Sequence, residues 1–510
     1  MPDLSSSRAR GHLLAVAGLL LTASLELQAQ TVPPAPAPPA SSRPRIDLAL
    51  GGGSARGLAH IGLLAWFEEH RIPIDVLAGT SMGGLVGGAY ATGMSPDEIR
   101  GLLAEADWKL IFHGGAPFSD KNFRRRQDDR AYPSKLHFGL RGGLKLPSGL
   151  NEGQQVDLLL DAITVQYSEL ATFDELPTPF RCVAADLVSA KPVTFHNGSL
   201  TSALRATMSL PGVFIPVRNS DQVLVDGGLF NNVPADVVRA MGADVVIAIS
   251  VGGSDVAGQG AAAPTYSMFA VLGNMINAMM SGNTVRGLTH ADLVIRPAVD
   301  AVSSMEFHNT AEIAALGYAA AEARSAELLK YAVDEATYAA FKAARDGRRR
   351  RVELVPRSIE VTGVPKVTQA TIRARMGAHL NVPLDPVRLA RDITRLGGSD
   401  RFETITYRVV TGAGGPVLRL AVQPKPYGPP FLALGVEVAN PFGTNLHLGL
   451  GSRLTAYDLL GYGSEFAGGR ARRLGGGTSG RVVPSGRPLA VVRGRDGRHP
   501  AERGAGVRRP

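Results

Sequence analysis

The chain has 510 residues, of which 45% are hydrophobic, 19% charged and 6% aromatic. This excludes disorder throughout and collagen-like architecture, and at roughly 100–200 residues per domain it allows two to four domains. The formal charge of +9 does not describe a phosphate-tracking surface. Eleven arginines against two acids (Asp496, Glu502) in residues 467–510 supply all of it, leaving 43 bases and 43 acids elsewhere. The single cysteine, Cys182, rules out an intramolecular disulfide and a thiolate metal cluster.

Arg8 and Arg10 precede an apolar run from Leu13 to about Leu25, and Leu27-Gln28-Ala29 offers a cleavage site before Gln30. Residues 1–29 therefore read as a secretory signal peptide and predict export. The run is shorter than the roughly 20 apolar residues a spanning helix needs, and Gly18, Thr22 and Ser24 dilute it. No cysteine follows the site, so lipid attachment there is excluded. Residues 30–45 are a Pro/Ala-rich, semi-rigid linker.

From residue 46 to 345 short apolar runs alternate with helical stretches. Ile46–Leu50, Asp75–Ala78, Phe180–Ala184, Val223–Val225, Val245–Ser250 and Leu293–Arg296 read as strands, and Leu58–Glu69 and Met82–Thr92 as helices. Strands apolar on both faces and separated by helices predict a parallel sheet covered on both sides, an α/β fold. Asn309 followed by Glu312 predicts a capping box opening a long helix to about Lys330. The apolar stretch Met268–Met280 reads first as core, with an acyl pocket or a membrane contact as the alternative.

Three constellations carry chemistry. Gly79-Thr80-Ser81-Met82-Gly83 lies between a strand and a helix. A serine at such a turn is held strained, its hydroxyl lifted out, and Gly79 and Gly83 remove side chains that would collide. Gly51-Gly52-Gly53-Ser54-Ala55-Arg56-Gly57 follows the first strand and opens the first helix. Backbone N–H groups of Gly51, Gly52, Gly53 and Ser54 at a helix N-terminus suit an oxyanion. Arg56 either holds an anionic head group or caps the loop. A dinucleotide loop is the rival, with Asp75 where a ribose-binding acid would stand, but G-x-G-x-x-G fails on spacing and leaves Ser81 unexplained. Third, the strand Val223–Val225 ends in Asp226-Gly227-Gly228, and an Asp there can take the serine proton once burial makes it more basic.

In this order the three elements, with Gly57-Leu58-Ala59-His60-Ile61-Gly62, Ser209-Leu210-Pro211-Gly212-Val213-Phe214-Ile215-Pro216 and Asp226–Pro234, resemble the patatin-like phospholipase family over about residues 46 to 330. The resemblance implies a three-layer α/β/α fold and a Ser81–Asp226 dyad without a catalytic histidine. It also implies hydrolysis of lipid acyl esters through an acyl-serine, of phospholipase A or lysophospholipase type. The expected partners are a lipid ester and a membrane surface, with neither nucleic acid, metal nor cofactor. The family reads Gly-Gly-Gly-x-Arg-Gly; aligned on Arg56-Gly57, Ser54 stands at its third glycine, so the oxyanion loop begins at Gly52. A Ser-His-Asp hydrolase is the nearest rival, with His290 and His308 after Asp226 and His60 in the first helix. A lipid-binding or secretion module with an inactive hydrolase fold is another.

Beyond the basic hinge Arg348–Arg351, residues 352–425 read as a compact β-α-α-β-β module. It resembles the POTRA domain of self-secreted bacterial outer-membrane phospholipases, which implies an outer-membrane, cell-surface or secreted location. Residues 426–466, with strands Phe431–Val438 and Asn445–Leu454 about the turn Asn440-Pro441-Phe442-Gly443, read as the start of a membrane β-barrel that too few residues remain to close. The Gly/Arg-rich residues 467–510 are off-pattern. They read as a shifted reading frame or degraded gene, or otherwise as a flexible basic tail, and no function is attached to them.

Overall fold

The computed structural model describes residues 43–131, 137–145, 151–219, 221–252, 268–439, 447–457, 465–475, 484–486 and 490–492. The expected signal peptide (1–29), most of the linker, the turn at 440–443 and the tail beyond 492 lie outside the described residues. From Arg45 onward the chain forms one compact unit.

Its main sheet has eight strands. Five are parallel, in the order Phe180–Asp186, Val76–Thr80, Ile46–Leu50, Val245–Ile249, Leu293–Ile295. Alternate side chains of the central strands serve different layers. Leu48, Leu50 and Leu77 pack against the helices Ala59–Glu69, Met82–Ala91 and Thr310–Glu322. Ala49, Ala78 and Ala248 face the other way, and their small size brings the helix Ala235–Ala240 close through Val238. The result is three layers, helix, sheet and helix.

Two expectations need correction. The strand carrying the candidate base, Val223–Asp226, is antiparallel to Phe180–Asp186, as is Lys191–Phe195, and Val217–Arg218 pairs antiparallel with the far side of Val223–Asp226. Hydrophobicity reports burial, whereas direction is set by the connection, here a turn back across the sheet edge rather than a helical crossover. The capping box at Asn309 and Glu312 does not form: the Asn309 amide donates to Glu306 Oε1 at 2.7 Å. The helix it opens ends at Glu322 rather than Lys330.

Residues 358–424 follow the expected β-α-α-β-β order. The strand Gly415–Pro424 lies between a parallel Ser358–Thr362 and an antiparallel Phe402–Gly412, with helices Lys366–Arg375 and Pro386–Gly397. The module is fused to the main unit. Leu158 and Val165 share its core, and the free edge of Phe402–Gly412 is capped by side chains from Gln154 to Glu169. Gln154 Oε1 accepts from Ile405 N (2.6 Å), Asp161 Oδ2 from Tyr407 N (2.8 Å), Ser168 Oγ from Val409 N (3.3 Å) and Glu169 Oε2 from Thr411 N (3.0 Å). Every second amide of an edge that would otherwise recruit another strand is thereby satisfied.

The C-terminal strands Phe431–Ala439, His447–Tyr457 and Glu465–Gly475 form an antiparallel meander, with His137–Gly139 paired to Phe431–Ala433. Regular structure thus continues past Phe466, where the sequence pattern stops. The ladder is a backbone property and needs no side-chain alternation to persist.

Candidate active site

Ser81 sits between the strand Val76–Thr80 and the helix Met82–Ala91 with φ 53° and ψ −123°, a strained conformation for a residue with a Cβ. Its amide donates to Thr207 Oγ1 at 2.9 Å, and the Thr207 hydroxyl spends its own proton on the Val183 carbonyl. Thr80 Oγ1 donates to Asn231 O at 2.9 Å, tying the elbow to the Asp226 loop. The flanking glycines are spaces for backbone. A Cβ on Gly79 would stand 2.3 Å from Gly83 O, and one on Gly83 would stand 2.2 Å from Leu50 O.

Sheet register brings Asp226 to the same level. Thr80 pairs with Val183, and Ala184 pairs with Asp226. The residue after Thr80 and the end of the antiparallel strand therefore meet across a single alanine, which brings the Ser81 hydroxyl close enough to the Asp226 carboxylate to lower its pKa. Asp226 is buried, and burial pushes its carboxyl up to about 6, against the lowering effect of the Ser81 hydroxyl and of Gly228 N, which donates to Oδ1 at 2.9 Å. Its own amide donates to Ser209 O at 3.0 Å. Ser209 is held in turn: its hydroxyl accepts from Arg205 Nη1 at 2.6 Å, and Arg205 Nε pairs with Asp157 Oδ1 at 3.0 Å, all three residues buried.

The glycine loop departs from expectation in which amides it presents. Gly51 N donates to Ile249 O (2.9 Å) and Gly52 N to Asn232 O (3.1 Å), so neither is free for an oxyanion. Both serve the architecture, because a loop leaving a buried strand must satisfy its first amides internally. The Gly53 and Ser54 amides have no hydrogen-bond partner among the described residues. Ser54, at the family's third glycine, adopts φ 53° and donates its hydroxyl to Ser304 O at 2.6 Å. Gly52 lies against the serine: a Cβ on it would be 3.1 Å from Ser81 Cβ and 2.6 Å from Asn232 Oδ1. Gly57 gives way to Met82, whose Cγ lies 2.5 Å from where a Cβ would be. Gly227 lies under Val183 O at 2.1 Å, and Gly228 under the Met280 methyl at 2.3 Å, by the same measure.

The rival residues are placed elsewhere. His60 is fully buried, its Nε2 donating to Gly51 O at 2.8 Å, and burial lowers it to about 4, so it is a neutral prop of the loop. His290 precedes the parallel strand Leu293–Ile295, at the sheet end away from Ser81, and His308 is exposed in the turn Phe307–Asn309. Asp75 also precedes its strand, where its carboxylate accepts from Ile46 N at 2.9 Å, at the end of the sheet opposite the glycine loop; no ribose at that loop reaches it. Arg56 donates to Val302 O (2.8 Å) and Asp300 O (3.3 Å), the capping alternative.

Sequence reasoning missed four contributors: Thr207, Asn232, the Arg205–Ser209 pair, and the amide of Met82. The last opens the elbow helix, where the first N–H groups lack intrahelical acceptors. Asn232 and Ser209 lie inside stretches that carried the family resemblance, which was the available signal.

Residues 48–239 match the family described as patatin-like phospholipase. They span the glycine loop, Ser81 and Asp226. The likeness to that family is confined to this segment of the chain. That family is one of lipid ester hydrolases. The patatin-like segment is 33% identical over 215 residues to an uncharacterized NTE family protein of Mycobacterium tuberculosis, covering 42% of this chain and 51% of that protein. It is 32% identical over 212 residues to patatin-like phospholipase domain-containing protein 7 of Rattus norvegicus, covering 41% and 14%. The matches thus span about half or less of these relatives' own length. Among solved structures, VipD from Legionella pneumophila aligns over 57% of this chain and 67% of its own at 14% identity and a TM-score of 0.30, too distant to inform the site.

Proposed function

We propose that the chain is a serine lipid acyl hydrolase of phospholipase A or lysophospholipase type, working through a Ser81–Asp226 dyad. The observation that carries the reading is that sheet register brings the strained Ser81 turn to the level of Asp226, a buried carboxyl raised to about 6. An ordinary aspartate is too weak a base for a serine; one near 6 remains ionised at pH 7 while accepting a proton more readily. Ser81 Oγ attacks the acyl carbonyl as its proton passes to Asp226. Charge develops on the carbonyl oxygen against the amides of Gly53, Ser54 and Met82. The alcohol leaves with the proton from Asp226, and water attacks the acyl-serine with Asp226 again as base, returning Ser81 and a carboxylic acid.

A fluorophosphonate ester tests the nucleophile, and a panel of diacyl and lysophospholipids tests the substrate class. Wild type should label at Ser81 and release fatty acid, whereas Ser81→Ala should do neither. Asp226→Asn should lose about 10^3-fold or more in kcat. Full activity in Asp226→Asn would overturn the dyad.

The same reading takes residues 1–29 as an export signal, residues 352–425 as a POTRA-type module and the strands from 426 as the opening of an outer-membrane β-barrel. The β-α-α-β-β order and C-terminal strands of 9 and 11 residues support the last two. Mass spectrometry of protein from an exporting host should find Gln30 at the N-terminus; an intact Met1 there would sink export.

A further inference from the structure

The helix Met268–Leu288 has two distinct faces. Ile276, Met280, Asn283, Thr284 and Gly287 face the segment that runs from Val225 to Val233. Met280 lies over Gly228, Asn283 Nδ2 donates to Leu229 O, and Thr284 Oγ1 accepts from Asn232 Nδ2 at 2.7 Å. By the 3.6-residue period Met275, Ala278, Met279, Gly282 and Arg286 form the other face, and all five are exposed. Met275 is 58% and Met279 44% exposed. No charged residue occurs between Met268 and Val285.

Further exposed apolar side chains stand at the carboxyl end of the sheet, the end at which Ser81 opens. Met305, 58% exposed, follows Ser304, whose carbonyl holds Ser54. Leu187 and Val188 are exposed in the turn after Phe180–Asp186, beyond the level of Asp226. Large exposed apolar groups gathered at the mouth of a site mark an interaction surface rather than scattered surface residues. Among the described residues no helix is long and apolar enough to cross a membrane, so this surface can lie on a bilayer but not span it.

We propose that Met275, Met279 and Met305, with Leu187 and Val188, form the face by which this chain sits on a zwitterionic phospholipid bilayer, holding the Ser81 site beside a supply of acyl esters. This rests on the lipid acyl hydrolase reading above and names where that substrate is met. The occupant follows from chemistry and place. The helix face carries one charge, Arg286 at its C-terminal end, and the loop that carries Met305 mixes Arg56 with Asp300 and Glu306, so the surface holds no excess of positive charge to favour an anionic bilayer. The inner face of the same helix contacts the Asp226-Gly227-Gly228 loop, so the bilayer and the dyad lie on opposite sides of one helix. Insertion driven by apolar burial is insensitive to salt.

Flotation of the full chain with dioleoylphosphatidylcholine vesicles tests this without reference to turnover. Wild type and Ser81→Ala should float equally, at 0.1 M and 1 M salt alike. The double substitution Met275→Glu and Met279→Glu should reduce partitioning at least about tenfold, while the rate of fluorophosphonate labelling stays within about twofold. Undiminished flotation of the double variant, or loss of wild-type flotation at 1 M salt, would overturn the proposal. So would a change from dimer to monomer in the double variant with vesicle binding intact, which would make the face an interface between copies. Should the double variant fail to label and so be misfolded, Met279→Trp decides: its fluorescence must shift to the blue on adding vesicles, and an unchanged spectrum refutes the surface. Wild type that floats but never labels would sink the hydrolase reading and leave the surface standing.

Discussion

Asn232 grips Gly52 at both of that residue's backbone polar groups: its carbonyl accepts from Gly52 N at 3.1 Å, and its side-chain Nδ2 reaches Gly52 O at 3.4 Å. The amide's orientation is unambiguous. Thr284 Oγ1 donates to Met280 O at 2.9 Å, so at 2.7 Å from Asn232 it must accept. Oδ1 is left buried and unpartnered between the glycine loop and Gly228. One side chain therefore sets the loop whose next two amides, of Gly53 and Ser54, are proposed to receive the oxyanion.

Asn232→Ala should lower kcat by roughly 10–100-fold with KM within about threefold, because it displaces a loop rather than a substrate contact. Asn232→Asp keeps the shape and brings a second carboxyl beside Asp226. It should shift the acidic limb of the kcat/KM profile upward. An unmoved limb in Asn232→Asp would show that the residue does not communicate with the base.

The pH dependence follows from Asp226 at about 6. As a base it must be ionised, so kcat/KM should rise with pH through about 6 and level off above. The same shift costs stability. The folded pKa lies above the unfolded value, so stability is undiminished below about pH 4 and is lost as pH rises toward 6. Asp226→Asn should therefore stabilise the fold by on the order of 2–3 kcal/mol at pH 8 and by almost nothing at pH 4. Denaturant titration at the two pH values measures this.

Thr207→Val removes the only described acceptor of the Ser81 amide. The elbow then holds a strained serine with an orphaned N–H, costing about 1–3 kcal/mol. Labelling of Ser81 by fluorophosphonate should slow, and Thr207→Ser should restore it. Failure of the serine variant to rescue would point to packing of the lost methyl instead.

Gln154→Ala with Asp161→Ala strips two acceptors from the edge strand Phe402–Gly412. The amides of Ile405 and Tyr407 should exchange with solvent at least tenfold faster, while those of Gly415–Pro424, held on both sides by strands, change little. Uniform acceleration across both strands would mean that the whole module opens as one unit.

Much of the site was legible in the sequence because strained turns and close backbone approaches restrict residue type. Gly79, Ser81, Gly83 and Asp226 stand in patterns that few other backbones need, and the β-α-α-β-β order of the small module follows from periodicity alone. The oxyanion loop was legible only as a loop. Gly51 and Gly52 look equivalent to Gly53 in the sequence, since any glycine can present its amide; which amides are already spent depends on Ile249 and Asn232, some 200 and 180 residues away. Likewise Arg56 and His60 became props only once their carbonyl partners were in place.

What the sequence by itself determined was the alternation of strand and helix, the elbow that exposes a serine, and the existence of an aspartate at a strand end. Tertiary structure alone decided that this strand runs antiparallel, so that Ala184 pairs with Asp226 one step beyond Thr80 and Val183, and that the carboxyl is buried enough to rise to about 6. Local chemistry fixes what a segment can form, because turns and periodicities are short-range. Strand direction, hydrogen-bond partners and desolvation come from residues distant in the chain, and those set which atoms meet and how basic they are.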